Sequence, residues 1–150
     1  MLRGEYIPID QLDLALQVRR SVFEEEQGLA ASYNEDGLDN QAIHFVVFED
    51  DEPVGTGRLL FKNGIYKIGR IAVLKDKRKY GYGDFIVRAL LDRGFQGGAD
   101  RIYVGARTSL QKFYSGIGFE ACSEVYEEQG IHHVMMVITP FTIRSKCGGH

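Results

Sequence analysis

The chain has 150 residues, of which 44% are hydrophobic and 26% are charged, and its formal net charge at pH 7 is −3. That length suits one domain with its own hydrophobic core, and we expect residues 1–150 to form it, with about 139–150 as a C-terminal tail. Nucleic-acid surfaces are basic, so the slight negative charge argues against a nucleic-acid partner. No apolar run is long enough to cross a membrane, and the first residues lack the apolar part of a signal peptide. We therefore expect a cytoplasmic protein with no membrane partner.

The cysteine and histidine content predicts no metal site. Cys122 and Cys147 are the only cysteines, and they do not form the closely spaced pairs that are typical of zinc sites and disulfide frameworks. His132 and His133 are adjacent, so on a strand their side chains point to opposite faces and make a poor metal pair.

The N-terminal half has the pattern of a strand, a helix and an antiparallel meander. Residues 2–9 favour a short strand, and Asp10 is a candidate N-cap for a helix that ends near Gln27, where Gly28 stops it. Residues 30–41 are polar and rich in Gly, Asn and Asp, which is typical of a loop or a second short helix. Three strands follow, with an Asn-Gly turn before the third: Ile43–Phe48, Val54–Phe61 and Ile65–Leu74.

The C-terminal half predicts two further helices and a last hairpin. Gly81 opens the first helix, and residues 101–106 form a strand. Thr108 matches the first position of a capping box, and the short helix that it begins ends at Gly118. Residues 119–138 are predicted to form the hairpin. The order of elements indicates an α+β protein with a mixed sheet.

One segment has the features of an anion-binding site. A mainly basic stretch, Lys75-Asp76-Lys77-Arg78-Lys79, follows an apolar strand and leads into Tyr80-Gly81-Tyr82-Gly83 and a helix. Two glycines two positions apart let the backbone turn tightly and leave N–H groups uncovered, and the helix start adds the positive end of its dipole. The segment therefore suits a pyrophosphate, although a glycine-softened turn before an ordinary helix is the structural alternative.

Two nucleotide-binding motifs fit this segment poorly. The chain has no G-x-x-x-x-G-K-[ST], which excludes a P-loop. A dinucleotide fingerprint would need a third glycine near Ile86 and an early βαβ unit, and both are missing.

The same segment carries a family resemblance. Arg78-Lys79-Tyr80-Gly81-Tyr82-Gly83 matches the R/Q-x-x-G-x-G/A signature of the GNAT superfamily of N-acetyltransferases, and residues 106–119 look like the helix that follows it in that family. More narrowly, the chain resembles the ElaA-like branch over about residues 10 to 138. The segments that carry this narrower resemblance are Val18-Arg19, Val22-Phe23, Glu26-Gln27, His44, Ile68-Gly69-Arg70, residues 125–128, Gly130-Ile131 and His133.

The resemblance implies an α+β fold with a mixed, centrally splayed β-sheet of six to seven strands, flanked by helices on both faces. It implies acetyl-CoA as cofactor, with the pantetheine arm between strands 65–74 and 101–106 and the pyrophosphate on the amides of the glycine loop. Asp84 departs from this pattern, since a carboxylate near phosphates is unfavourable unless it points outward or caps the helix. The implied cofactor contacts are Ile71, Ala72, Val73, Arg78, Lys79, Tyr80, Gly81, Tyr82, Gly83, Asp84 and Phe113.

The resemblance further implies transfer of an acetyl group to a primary amine of a small molecule or peptide, with Tyr114 as general acid. A phenol pKa near 10 lies about 1.5 units above that of a thiol, so protonation of the leaving thiolate is uphill by at most about 2 kcal/mol. The alternative is that Tyr114, beside Phe113, is a core residue.

The base is less defined. Many family members place a glutamate on the strand before the phosphate loop, whereas here that stretch ends in Arg70. Deprotonating a lysine-like amine of pKa ~10.4 at pH 7 costs about 4.6 kcal/mol. The candidate bases are Glu26, His44 and His133, of which Glu26 and His133 join Tyr114 as predicted catalytic residues.

The branch resemblance places the acceptor near Arg19, Gln27 and His44. Glu26 would hold a cationic acceptor and Arg19 a carboxylate, so an amino-acid-like acceptor with both charges would satisfy the two. Two other classes stay open: a non-catalytic acyl-CoA-binding module, which the missing strand glutamate keeps open, and a nucleotide-binding protein that uses the same loop. The sequence also leaves the oligomeric state open, a homodimer included.

Overall fold

The computed structural model describes residues 1–145, which form one eight-stranded sheet with helices packed on it. None of the helices in this range is long and apolar enough to span a bilayer. In chain order the elements are β1 (Leu2–Ile7), α1 (Leu12–Arg19), α2 (Ala31–Asn34), β2 (Ala42–Glu49), β3 (Glu52–Lys62), β4 (Ile65–Val73), α3 (Tyr82–Gln96), β5 (Ile102–Arg107), α4 (Gln111–Ile117), β6 (Glu120–Ala121), β7 (Tyr126–Glu128) and β8 (Ile131–Ile138).

The sheet is mixed. Its order is β1-β2-β3-β4-β5-β8-β6, with β7 also paired to β8. β4 and β5 run parallel, and the other neighbours are antiparallel. The predicted α+β fold with a mixed sheet is confirmed; the sheet exceeds the expected six to seven strands because β6 and β7 are separate short strands on β8. Asn63 and Gly64 join β3 to β4 with φ angles of 54° and 79°, as the hairpin signal predicts.

The central strands are buried on both faces. On β2, Phe45 and Val47 pack in the same cluster as Ile86 of α3, while Val46 packs with Ala15 of α1. Alternate side chains of a strand point to opposite faces, so α3 and α1 cover the two sides of the sheet. This arrangement explains why β2 reads as a continuous apolar run.

The sheet opens between β4 and β5. Within the described residues two pairs join these strands: Lys67 with Tyr103, and Ile68 with Val104. Beyond them β4 carries a bulge in which Arg70 and Ile71 face the single residue Gly57 of β3, and Arg70 has a φ of 51°. A bulge bends its strand and increases the local twist. The predicted splay is therefore confirmed, and the bulge lies where the two strands part.

Two predicted helix caps are wrong. Asp10 lies in a short 3₁₀ turn, and the N-cap of α1 is Gln11, with no side-chain hydrogen bond. Thr108 likewise begins a 3₁₀ turn before α4, again without a side-chain cap. In both places a backbone turn precedes the helix, so the predicted side-chain cap is one turn too early. The end of the first helix is confirmed, because α1 continues as a π-helix over Arg20–Glu26 with Gln27 as its C-cap.

The segment after β8 has exposed side chains, and its backbone contacts the end of α4 as far as the structure describes it. The Arg144 N–H donates to the Ile117 carbonyl at 2.7 Å. Gly118 has a φ of 127°, and a Cβ there would lie 2.1 Å from the Thr142 carbonyl oxygen. Residues 146–150 of the predicted tail, with Cys147, lie outside the described residues.

Candidate active site

The loop between β4 and α3 presents unpaired peptide N–H groups at a helix start. Gly81, the N-cap of α3, has a φ of 81° in the left-handed region, and no side chain caps the helix. Within residues 1–145 no hydrogen bond uses the N–H groups from Arg78 to Asp84. The first N–H groups of a helix have no intrahelical partner, so this loop can receive an anion on its amides.

A cleft of about 590 Å³ runs from this loop into the opening between β4 and β5. All of the predicted cofactor contacts line it except Tyr80, whose side chain lies outside the cleft. The side chain of Asp84 is paired with Arg88 at 2.8 Å, which resolves how a carboxylate is accommodated in the loop. The lining residues that were not predicted from the sequence as site residues are Val22, Arg107, Ser109 and Leu110.

Three of these four residues come from one place in the chain. Arg107 is the last residue of β5, and Ser109 and Leu110 follow shortly after it, at the end where β5 parts from β4. Their position at the end of a strand beside the opening was the signal that could have found them. Arg107 donates a hydrogen bond to the side-chain oxygen of Gln27, which holds Gln27 in the wall of the cleft.

Tyr114 lies where two clefts meet. It lines the large cleft and a smaller one of about 120 Å³, and the two clefts share part of their lining. The side chain is 4% exposed and packs edge-on against the rings of Phe113 and Phe119. Burial raises the pKa of the Tyr114 phenol above its ordinary range, and the charge of Arg107 offsets part of that rise. The hydroxyl is therefore a proton-bearing donor at neutral pH.

His133 lines the smaller cleft together with Tyr114. Its Nδ1 lies 2.8 Å from the Ile131 carbonyl oxygen, and its ring stacks on Tyr126. A carbonyl can only accept, so Nδ1 donates, and the neutral ring keeps its lone pair on Nε2. This tautomer is the one that a base acting through Nε2 needs.

Glu26 is paired and not free to act as a base. Two nitrogens of Arg78 donate to its carboxylate oxygens at 2.8 and 2.6 Å. These hydrogen bonds, more than the charges around it, lower the pKa of Glu26. In this structure the carboxylate neutralises a loop cation, an arrangement that disfavours the expected role of Glu26 as a catalytic base.

Arg19 and His44 lie away from both clefts. Arg19 is 1% exposed and donates to the side chains of Asn34 and Asp39, each at 2.8 Å. His44 is 2% exposed, and its Nε2 lies 3.0 Å from the Asp39 carbonyl oxygen. Burial lowers the pKa of His44, so the ring is neutral. The expectation that these two residues contact the acceptor is corrected, because buried partners engage their side chains.

A buried network of charges lies under the acceptor side of the site. Asp36 accepts hydrogen bonds from Arg58 and Arg70, and Asp39 accepts from Arg58 and Arg19. Burial raises the pKa of both carboxyls, but the hydrogen bonds and charges of these arginines outweigh it and lower both pKa values. This network is not apparent from the sequence because its members come from α1, the loop before β2, and two strands.

The fold and the site together define the protein as an acyltransferase in which two parted strands and an amide-lined loop form the cofactor cleft. Residues 11–140 match the family model described as Acetyltransferase (GNAT) domain. The chain belongs to the GNAT acetyltransferase family, in its ElaA-like branch, and the resemblance seen in the sequence is confirmed.

Relatives of known sequence or structure agree with this assignment. The uncharacterized N-acetyltransferase YjcF of Bacillus subtilis (strain 168) is 38% identical over 129 residues, 85% of this chain and 92% of that protein. Protein ElaA of Escherichia coli (strain K12) is 32% identical over 140 residues, 90% of this chain and 92% of that protein. The crystal structure of Escherichia coli ElaA has a TM-score of 0.80 at 29% identity, covering 92% of this chain and 98% of that one. An acyl-CoA N-acyltransferase from Pseudomonas aeruginosa has a TM-score of 0.80 at 27% identity, covering 93% and 99%.

Proposed function

We propose that the enzyme transfers an acetyl group from acetyl-CoA to a primary amine of a small molecule or peptide, with Tyr114 as general acid. The observation that carries this proposal is the union of two clefts at Tyr114, one of which ends at the unpaired amides of the glycine loop. The structural relative from Pseudomonas aeruginosa is by its name an acyl-CoA N-acyltransferase, which supports an acyl-CoA as the donor here.

The residues around the large cleft fit the parts of this cofactor. The free N–H groups between Arg78 and Asp84 and the side chains of the loop cations suit the pyrophosphate. Beyond Gly69 the edge of β4 that faces β5 has no strand partner in residues 1–145. The backbone of Ile71 and Val73 can therefore pair with the amides of the pantetheine arm, as it would with an added strand. Bound there, the cofactor supplies an acetyl thioester at the junction of the two clefts.

The chain's own residues then act on the amine and on the sulfur. The amine nitrogen forms a bond to the thioester carbon, the carbon–sulfur bond breaks, and the amine loses one proton. Nε2 of His133, directly or through a water, accepts that proton, and Tyr114 donates to the leaving sulfur. Because burial raises the pKa of Tyr114, its main contribution is a hydrogen bond to the thiolate rather than complete proton transfer.

A panel of amines with acetyl-CoA and a thiol-release readout tests the proposal. We expect turnover above hydrolysis with at least one amine, and acetyl-CoA consumption matched by acetylated product in mass spectrometry. Binding of CoA in a thermal-shift assay with no turnover of any amine would contradict the proposal and favour the acyl-CoA-binding module. Stabilisation by ATP or NAD but not by CoA would favour a nucleotide-binding protein.

A further inference from the structure

The acceptor side of the site carries positive charge. The charged side chains that line the 120 Å³ cleft are Arg70 and Arg107, and no Asp or Glu of the described chain lines it. Of the two, Arg107 has a neutral partner, Gln27, and pairs with no carboxylate among residues 1–145. A cationic acceptor would meet repulsion from both guanidinium groups, since the cleft offers no opposite charge.

An adjoining cleft of about 410 Å³ continues the same surface and shares Arg70 with the smaller one. Its cations are Arg58, Lys67 and Arg70, and its acids are Asp36 and Glu128. Asp36 already accepts hydrogen bonds from both arginines. Glu128 is exposed and lies on the short strand β7 at the rim. The cations of the combined groove therefore outnumber its two acids, of which Asp36 is engaged by arginines and Glu128 lies at the rim.

Arg70 has an unused donor in this groove. Its Nη2 donates to the Tyr33 carbonyl and to Asp36, and its guanidinium stacks on the Tyr33 ring at 4.2 Å. Its Nε is buried and has no partner among the described residues. Buried N–H groups are normally satisfied, so an unpartnered one beside a cleft points to a missing acceptor. The stacking holds the guanidinium plane still, which favours two-point recognition of a planar anion.

Lys67 provides a second cation close to the opening. It lies on β4 at the last stretch that pairs with β5, and its side chain is exposed. Its Nζ would lie 3.8 Å from a Cβ on Gly105, the β5 residue that lines the smaller cleft. Gly105 has no side chain there, so Lys67 and the hydroxyl of Tyr126 flank the space beside it.

We propose that the acceptor is an amino carboxylate, whose carboxylate is bound by Arg70 with Lys67 at the rim while its amine reaches the junction at Tyr114. This inference rests on the proposed function and names the substrate class for the same site. The smaller cleft has a volume of about 120 Å³, roughly that of four water molecules in the liquid, so it accommodates the amine and the carboxylate. The acceptor side chain extends into the larger groove.

The cationic lining also helps to deprotonate the amine in a protein that has no glutamate on the strand before the glycine loop. A positive charge nearby disfavours the ammonium form and lowers the pKa of a bound amine. Arg70 stands in the stretch where many family members have the carboxylate, and its charge lowers the cost of deprotonation without accepting the proton itself. His133 then accepts a proton from an amine that is already easier to deprotonate.

Matched acceptor pairs test the inference. Free amino acids are compared with their carboxamides. The carboxamides lack the carboxylate, and their amines are less basic than those of the free amino acids. We expect kcat/KM to favour the free acids although their amines are the more basic. Arg70→Gln should lower kcat/KM for the acids by on the order of 10- to 100-fold and for the carboxamides by no more than about 3-fold. Lys67→Gln should show the same selectivity with a smaller loss, and Lys62→Gln, at the exposed end of β3, is the matched control.

A binding readout separates this inference from the proposed function. Saturation-transfer NMR on the CoA-bound protein compares N-acetyl amino acids with N-acetyl amino-acid amides as product probes. We expect preferential binding of the acids, which Arg70→Gln and Lys67→Gln weaken. Preferential binding of the N-acetyl amino acids without turnover of any amine would contradict the catalytic proposal but support the anion site. Turnover with equal kcat/KM for acids and carboxamides, or equal binding of both probes to the unmodified protein, would overturn the inference while the enzyme assignment stands.

Discussion

Arg78 and Glu26 are joined by two hydrogen bonds, 2.8 and 2.6 Å long, while a third nitrogen of Arg78 donates to the Val73 carbonyl at 3.0 Å. The ion pair with Glu26 joins the end of the π-helix to the glycine loop. The hydrogen bond to Val73 occupies the last carbonyl of β4. Both interactions lie where the proposed cofactor would place its pyrophosphate and pantetheine. Cofactor binding therefore competes with the ion pair for the guanidinium of Arg78.

Glu26→Gln is expected to tighten CoA binding. The substitution removes the negative charge that competes with the cofactor for Arg78. A partly exposed ion pair contributes little free energy, so the dissociation constant of CoA should fall by only roughly 2- to 5-fold. Isothermal titration calorimetry measures it, with Glu25→Gln on the exposed neighbour as control. A loss of kcat by orders of magnitude with unchanged CoA binding would restore Glu26 as the base.

Tyr114→Phe is expected to lower kcat by roughly 10- to 100-fold and leave the CoA dissociation constant within about 2-fold. Phenylalanine keeps the ring packing against Phe113 and Phe119 and removes only the hydroxyl. The raised pKa of the phenol also predicts that activity does not fall through tyrosine ionisation below the ordinary value near 10. Steady-state kinetics from pH 6 to about 10 measure both effects, with Tyr80→Phe outside the cleft as control. An unchanged kcat would remove Tyr114 from the mechanism.

His133→Asn is expected to change the pH dependence of kcat/KM. The asparagine amide can still donate to the Ile131 carbonyl, but the lone pair of Nε2 is lost. The loss should be about 10- to 100-fold near pH 7 and much smaller near pH 9, where more of the amine is already neutral. His132→Asn, on the exposed face of β8, is the matched control. A loss that is equal at both pH values would indicate a structural role.

Asp39→Asn is expected to lower the free energy of unfolding by on the order of 3 kcal/mol at pH 7. The Asp39 side chain is 11% exposed, and its carboxylate pairs with Arg19 and Arg58. The substitution would remove the buried counter-charge of both guanidinium groups. The pKa of this carboxyl is lowered on folding, so its stabilisation is present above the unfolded value near 3.9 and is lost as the pH falls below it. Urea unfolding between pH 7 and 3 measures this, and the variant should show the flatter profile. Identical profiles would contradict the assigned role of the pair.

Local patterns were enough for several parts of the fold. The Asn63-Gly64 turn has the positive φ angles that its residues favour, and Gly81 takes the left-handed conformation at the start of α3. These features depend on residues that are close in sequence, and their conformational preferences act over a few positions. The glycine loop, the open amides and the α+β order of elements were predictable for that reason.

The meander, the glycine loop at a helix start and the position of Tyr114 on the helix after β5 follow from the sequence, because each depends on local backbone preference or on a motif of fixed spacing. The ionisable groups that face the cleft are set by the three-dimensional fold. Arg19 and His44 are buried and hydrogen-bond to Asp39, and Glu26 is paired with Arg78, 52 positions away in the chain. A side chain's charge shows what it can bind, but its partner depends on which distant segments the fold brings within hydrogen-bonding distance.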